Sequence, residues 1–262
     1  MPKNKRPTAV LIGAGNVAYH LGVLLASKGY HIIQVYSRTK SGQALAAKLR
    51  SIHIRSVSDL RQDADVYLVA VSDKAISGVI KKMNFDPGLI VHTSGSTPIN
   101  VFPEWMTSFG VLYPLQSFSK KVKRKASEIP FLIEGNSKKS VKRIRRLAGT
   151  LSNSVLEMNS DKRSLVHLAA VLVNNFSNHL ATLAGEILHQ KKIDPKILRP
   201  LLFETVMRVI ETDPKKAQSG PAIRGDDVII RKHLSMLKKF PEIQTLYSLF
   251  SKSIRKTYHL KK

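Results

Sequence analysis

The chain has 262 residues, enough for one large domain or two modest ones. It contains no cysteine, which excludes a disulfide framework, thiolate zinc sites and cysteine nucleophiles, and no metal site is expected. A formal charge of +25 directs attention to anionic partners: nucleic acid, phosphorylated cofactors or anionic substrates. No apolar run approaches the roughly 18 residues that span a bilayer. Lys3, Lys5 and Arg6 precede the run Ala9–Ile12, but Gly13, Gly15 and Asn16 interrupt it and no cleavage site follows, so it is not read as a signal peptide. The chain is expected in the cytoplasm, away from membranes.

The first predicted strand, 9–12, runs straight into Gly13-x-Gly15-x-x-Ala18 and then into apolar residues at helical spacing, Val17, Leu21, Leu24 and Leu25. Strand, glycine turn and helix make a dinucleotide-binding signature. Gly13 forms the turn, Gly15 lets backbone approach a pyrophosphate, and Ala18 lets the helix sit close on the strand. The helix N-terminus offers N–H groups to the phosphates, so Gly13, Gly15, Asn16 and Val17 are the candidate pyrophosphate contacts. A glycine turn in a parallel sheet that binds nothing is the competing explanation.

A second strand over 30–36 ends at Ser37-Arg38-Thr39. An acidic residue at this point would bind the ribose 2′-hydroxyl, whereas arginine suits a 2′-phosphate. Ser37 and Arg38 therefore argue for NADP, unless Arg38 is only a surface arginine. A helix over 41–50, a weak strand over 52–57, a buried strand over 65–71 and a helix over 75–83 follow. Ser72-Asp73 sits at the buried strand's carboxyl end, the edge where open parallel sheets bind ligands, with Val71 and Ser72 as candidate cofactor contacts. A strand over 89–92 leads to Thr93-Ser94-Gly95-Ser96 in the same position, with Ser94 as a candidate contact to the reacting end of the ligands. The run 109–115 is another strand, followed by Gln116. Strands alternating with helices at this spacing give a doubly wound, Rossmann-type parallel sheet, an α/β fold.

From Lys120 to Arg146 there are eleven Lys or Arg against Glu128 and Glu134 alone. The tract is a solvated face or a polyanion surface; its single aromatic, Phe131, gives little for stacking on single-stranded nucleic acid. Strands over 129–133 and 154–158 flank a basic amphipathic helix over 138–151. The domain boundary is placed at 127/128, with residues 128–159 as possible completion of the first sheet and an all-α second domain beyond.

Ser164–Gln190 contains no Lys or Arg, which predicts a helix buried on most sides. At about 100° per residue, Leu165, Leu168, Leu172, Phe176, Leu180, Leu183 and Ile187 share one face. His167, Asn174 and Asn178 line the opposite face, with Asn175 at its shoulder. Histidine and asparagine are weaker helix formers than the residues a solvated face would carry. The stripe is either a lined cleft or a helix contact. As a cleft, it gives His167 as the acid–base group and Asn174 or Asn175 as holders of a carbonyl or amide. Further on, Arg224 sits between Gly-Pro and Gly-Asp turns, where its planar fork suits a carboxylate or bonds carbonyls of its own turn. Asp226 or Asp227 can cap the helix that follows.

Four stretches together resemble a known family: L-I-G-A-G-N-V-A (11–18), V-H-T-S-G-S (91–96) with Y-P-L-Q-S-F-S (113–119), H-L-A-A-V-L-V-N-N-F (167–176) and S-G-P-A-I-R-G-D (219–226). The family is the Rossmann-like NADP oxidoreductases that carry a C-terminal helical domain of unknown function, DUF 2520. More distantly the chain is similar to the six-phosphogluconate-dehydrogenase-like superfamily, with ketopantoate reductase and pyrroline-carboxylate reductase. The resemblance implies an N-terminal NAD(P) domain and a helical substrate and dimerisation domain. The hydroxyacid dehydrogenase relatives use a lysine four residues before an asparagine. Here Val171 precedes Asn175 and Ala170 precedes Asn174, which departs from that mechanism and leaves His167 as the substitute.

The resulting expectation is an NADP-dependent oxidoreductase of a small anionic carbonyl or hydroxy compound, acting as a homodimer. In it Ser94, Gln116 and Arg224 hold substrate. A dinucleotide-binding sensor or scaffold without turnover is the first alternative, and nucleic-acid binding through 120–146 the second.

Overall fold

The computed structural model describes residues 6–119 and 126–259 and divides the chain into two compact units, with the boundary after Asn175. The first unit is built on an eight-stranded sheet: β1 (Thr8–Ile12), β2 (His31–Tyr36), β3 (Ile52–Ile54), β4 (Val66–Val69), β5 (Ile90–His92), β6 (Phe109–Pro114), β7 (Phe131–Gly135) and β8 (Val155–Glu157). Their order is β3-β2-β1-β4-β5-β6-β7-β8. The central strands are apolar along their whole length because both faces are covered. Along β1, Ala9 and Leu11 enter one apolar layer and Val10 and Ile12 the other. The first layer is closed by α1 (Asn16–Ser27), α2 (Lys40–Leu49) and α4 (Lys138–Leu151), through Leu21, Leu25, Leu45, Ile144 and Leu147. The second is closed by α3 (Asp73–Ile80), through Ile76, Val79 and Ile80, with Leu60, Met83, Phe102 and Met106.

One pairing departs from the parallel sheet expected from sequence. β7 runs antiparallel to β6, with Gly110 opposite Gly135 and Pro114 opposite Phe131. A parallel return needs a crossover of a dozen or more residues, usually a helix. Here the described residues between the two strands carry only a 3-10 turn at Ala126–Glu128. β7, α4 and β8 thus extend the first sheet, and the first unit runs well past residue 127. β3 also stops at Ile54, short of Val57. There a 3-10 turn begins, with Ser56 Oγ accepting from the Ser58 N–H.

α5 (Ser160–Ala170) opens with Asn159 as its cap and passes into a π-helical stretch, Val171–Phe176. Asn174 and Asn175 lie within that stretch, so 100° arithmetic does not carry beyond Ala170.

The second unit contains α6 (Ser177–His189), α7 (Arg199–Glu211), the short α8 (Pro214–Ala217) and α9 (Pro221–Arg224), α10 (Asp227–Met236) and α11 (Pro241–His259). Asp226 caps α10 by accepting from the Ile229 N–H. His233 Nδ1 and the Tyr247 hydroxyl, 2.8 Å apart, tie α10 to α11. Few of this unit's larger apolar side chains are buried; Ile230 and Leu237 are the main ones. The expectation that Ser164–Gln190 is buried on most sides is overturned for the chain by itself. Leu165, Leu168, Leu172, Phe176 and Leu180 are between 41% and 67% exposed.

Candidate functional site

A cleft of about 700 Å³ opens at the carboxyl ends of β1, β2 and β4, where the strand order reverses. Gly13 is the pivot. Its φ is +122°, its N–H donates to the Tyr36 carbonyl at 2.8 Å, and a Cβ on it would stand 2.3 Å from the Ala70 carbonyl oxygen. Only glycine fits that turn. Gly15 caps α1, and the space a Cβ would fill there is open. The first turn of α1 has no acidic residue and no side-chain cap. Its free N–H groups are therefore available to an anion. The Asn16 amide donates to the Phe118 carbonyl at 3.0 Å, which leaves its backbone rather than its side chain for a phosphate.

At the β2 end, Ser37, Arg38, Thr39 and Ser41 line the cleft. The Ser37 and Thr39 hydroxyls are 2.9 Å apart, and those of Thr39 and Ser41 2.7 Å. Gly42 lets α2 close over Ser37, since a Cβ would come within 2.3 Å of the serine Cβ. Arg38 is exposed and forms no hydrogen bond or ion pair among the described residues. Lys82, beyond the end of α3, lines the cleft too. Sequence reading passed over it because no local pattern marks it; only the fold brings it here.

Val71, Ser72, Asp73, Thr93 and Ser94 also line this cleft, whereas Gln116 lies outside it. Ser94 Oγ accepts from the N–H groups of Ser96 and Thr97 at 3.2 and 2.9 Å. Asp73 accepts from the Ser96 hydroxyl at 2.7 Å. Beneath this loop His92 is fully buried, and its Nδ1 accepts from the Ser94 N–H at 3.2 Å. Burial, and behind it the charge of Arg163, lower its pKa to about 3, so His92 is neutral.

A separate groove of about 580 Å³ is lined by Tyr113, Gln116, Ser117, His167, Asn174 and Asn175, among others. The fold thus brings together four residues that were singled out from distant stretches. The Tyr113 hydroxyl and His167 Nδ1 are 3.0 Å apart. Gln116 Oε1 accepts from the Ser117 N–H at 2.9 Å. Asn174 and Asn175 are exposed, and the Asn174 amide donates to Asn175 Oδ1 at 3.4 Å. Tyr113 was not singled out, although it is the polar tip in an otherwise apolar strand. Arg163 was missed entirely. It is fully buried, ion-paired to Glu134 and bonded to the Thr97 carbonyl and to Ser160. Its place in α5 looks like one more basic residue; only the packing of α5 against β7 makes it an anchor.

Arg224 belongs to the second unit. It ends α9, is exposed, and has no side-chain partner among the described residues. Of the basic tract, 120–125 lie outside the described residues. Lys138, Lys139, Lys142 and Arg146 on α4 are exposed, Arg145 pairs with Glu157, and Arg143 bonds the Gly88 carbonyl and Ser108. Phe131 is fully buried in the sheet and presents no ring for base stacking. Among the described residues, no helix is long and apolar enough to cross a membrane.

Comparison with known proteins agrees with this architecture. The Rossmann-like domain family matches residues 3–116, and the domain of unknown function DUF2520 matches residues 129–254. No curated protein matches the chain. Among solved structures, a "putative NADP oxidoreductase" of Bacteroides fragilis is similar over 96% of this chain and 98% of its own, at 40% identity and a TM-score of 0.89. A Thermotoga maritima protein is similar over 96% and 99%, at 23% identity and a TM-score of 0.79. An imine reductase of Myxococcus stipitatus, solved with NADP+, shares the fold over 97% and 95%, at 17% identity and a TM-score of 0.67.

Proposed function

Because the chain belongs to the family that joins a Rossmann-like domain to a DUF2520 domain, we propose that it is an NADP-dependent oxidoreductase of a small anionic carbonyl or hydroxy compound. The observation that carries this reading is the cleft at the switch point. It has an uncapped helix N-terminus at one end and, at the β2 end, Arg38, without a partner among the described residues, with three neighbouring hydroxyls; the cleft's carboxylate, Asp73, comes from the start of α3 and accepts from the Ser96 hydroxyl. The N–H groups of Asn16 and Val17, with the turn at Gly13 and Gly15, hold the pyrophosphate. Ser37 and Arg38 hold the 2′-phosphate, for which a planar guanidinium fork is suited. Val71 and Ser72 line the path between the two halves. When bound, NADPH supplies the hydride. His167 manages the accompanying proton, and Asn174 or Asn175 orients the carbonyl beside Gln116. The similarity to the Bacteroides fragilis protein described as a "putative NADP oxidoreductase" supports the cofactor assignment.

The reading includes a homodimer in the cytoplasm, where NADPH is plentiful. A second copy is the natural cover for the exposed leucines of α5 and α6 and for Leu201, Phe203 and Ile210 of α7.

Calorimetric titration with NADPH and then NADH tests the cofactor. We expect selective NADPH binding, weakened about ten- to hundredfold in Arg38→Ala. His167→Ala should keep that affinity and lose about 10²- to 10⁴-fold in hydride transfer to small oxo acids. Absence of binding to either nucleotide would remove the proposal. Tight binding with no turnover on any carbonyl would leave a dinucleotide sensor.

A further inference from the structure

His167 is held from three directions. Tyr113, on β6, brings its hydroxyl to 3.0 Å from Nδ1, and the two rings meet edge to face with centroids 5.7 Å apart. The imidazole also lies against Gly95, where a Cβ would stand 2.7 Å from its Cγ and Nδ1 and 2.9 Å from its Cβ. One turn back along α5, Arg163 locks the helix to Glu134 and to the Thr97 carbonyl. The other ring nitrogen, Nε2, has no hydrogen-bond partner among the described residues, and the ring borders the groove.

We infer that Tyr113 is a positioning residue that fixes which nitrogen of His167 carries the proton. Burial, reinforced by the negative charge of Asp73, pushes the Tyr113 phenol up, so it remains a donor through the neutral range. The contact allows either group to donate, and a phenol is a stronger donor than acceptor while a bare imidazole nitrogen is the stronger acceptor, so the phenol donates to Nδ1 of the neutral imidazole and the ring's single proton sits on Nε2. When the ring takes a second proton, Nδ1–H donates back to the phenol oxygen. The hydroxyl partners both protonation states, and Nε2 presents an N–H in each. His167 therefore meets a ligand in the groove as a donor, matched to an acceptor atom such as a carbonyl oxygen. Gly95 contributes by lacking a side chain, since a methyl there would occupy the ring's place.

The consequence for turnover rests on the oxidoreductase reading; the tautomer itself does not. Histidine-selective nitrogen-15 labelling reads it directly. Long-range proton–nitrogen correlation at mildly alkaline pH is the measurement, with His167 assigned by its loss in His167→Gln. The expected result is a protonated Nε2 and a bare Nδ1 in the wild-type protein, and a mixture of tautomers in Tyr113→Phe. In turnover, Tyr113→Phe should lower kcat about tenfold with NADPH affinity unchanged. A wild-type His167 protonated on Nδ1 overturns the inference, as does an unaltered tautomer in Tyr113→Phe. If that variant does not fold, the wild-type spectrum alone decides. Failure of the NADPH titration would sink the cofactor reading and leave this spectrum equally decisive.

Discussion

His92 sets an acid limit on the fold. Its pKa in the folded chain is about 3, against an ordinary value of 6.5, because burial and the nearby Arg163 disfavour the imidazolium. A depressed folded-state value means that the unfolded chain takes up the proton first. Stability from this residue is complete above about pH 6.5 and falls by about 1.4 kcal/mol per pH unit on the way down to about 3. His92→Asn keeps an acceptor for the Ser94 N–H and removes the titration. Urea midpoints followed from pH 7 to pH 4 should therefore fall more steeply for the wild type than for the variant; parallel slopes would contradict the argument. The sequence marks 89–92 as a buried strand, but not which way the ring of its last residue faces. A histidine at the end of an apolar strand reads alike whether its ring faces the core or the cleft.

At the scale of elements, α5 is positioned by charge rather than by apolar packing. Arg163 is 1% exposed and Glu134 14%, and the glutamate also accepts from the Ser160 N–H and hydroxyl at 3.0 and 2.8 Å. Removing one partner of such a pair strands the other charge in a poorly solvated place. Arg163→Met should cost about 3–5 kcal/mol, read as a lowered urea midpoint, and Arg163→Met with Glu134→Gln should recover much of the loss. Equal midpoints for wild type and the single variant would show that α5 is held otherwise. The existence of most elements was legible: α4 occupies the span its periodicity predicts, and β1, β2 and β6 fall within a residue or two of theirs. What periodicity could not reveal was the π-helical stretch at Val171–Phe176. An inserted turn of i→i+5 bonding leaves no mark in the apolar pattern, which is why a continuous His–Asn–Asn stripe was anticipated.

For the molecule as a whole, the imbalance of burial between the two units is the main physical fact. Both apolar layers of the sheet belong to the first unit, while Leu201, Phe203, Val206 and Ile210 of α7 are between 48% and 71% exposed. A chain that leaves this much apolar surface in water gains by pairing with itself. Sedimentation should find a dimer at micromolar concentration, and Phe203→Glu should shift it to monomer. A wild-type monomer under those conditions would remove the dimer from the proposed function. The proposed dimer would also account for the exposure of a helix without Lys or Arg in a chain so rich in them.

The sequence by itself determined the local grammar: an apolar strand, Gly13 and Gly15 at a turn, a helix behind them, and an arginine where a carboxylate is often found. These are legible because they depend on neighbours within a few residues. Only the tertiary structure decided that β7 returns antiparallel, that Ser94 faces the cleft with Arg38, and that Tyr113, Gly95 and Arg163 converge on His167. Such meetings depend on the order and register of strands far apart in the chain, and no short-range pattern carries that information.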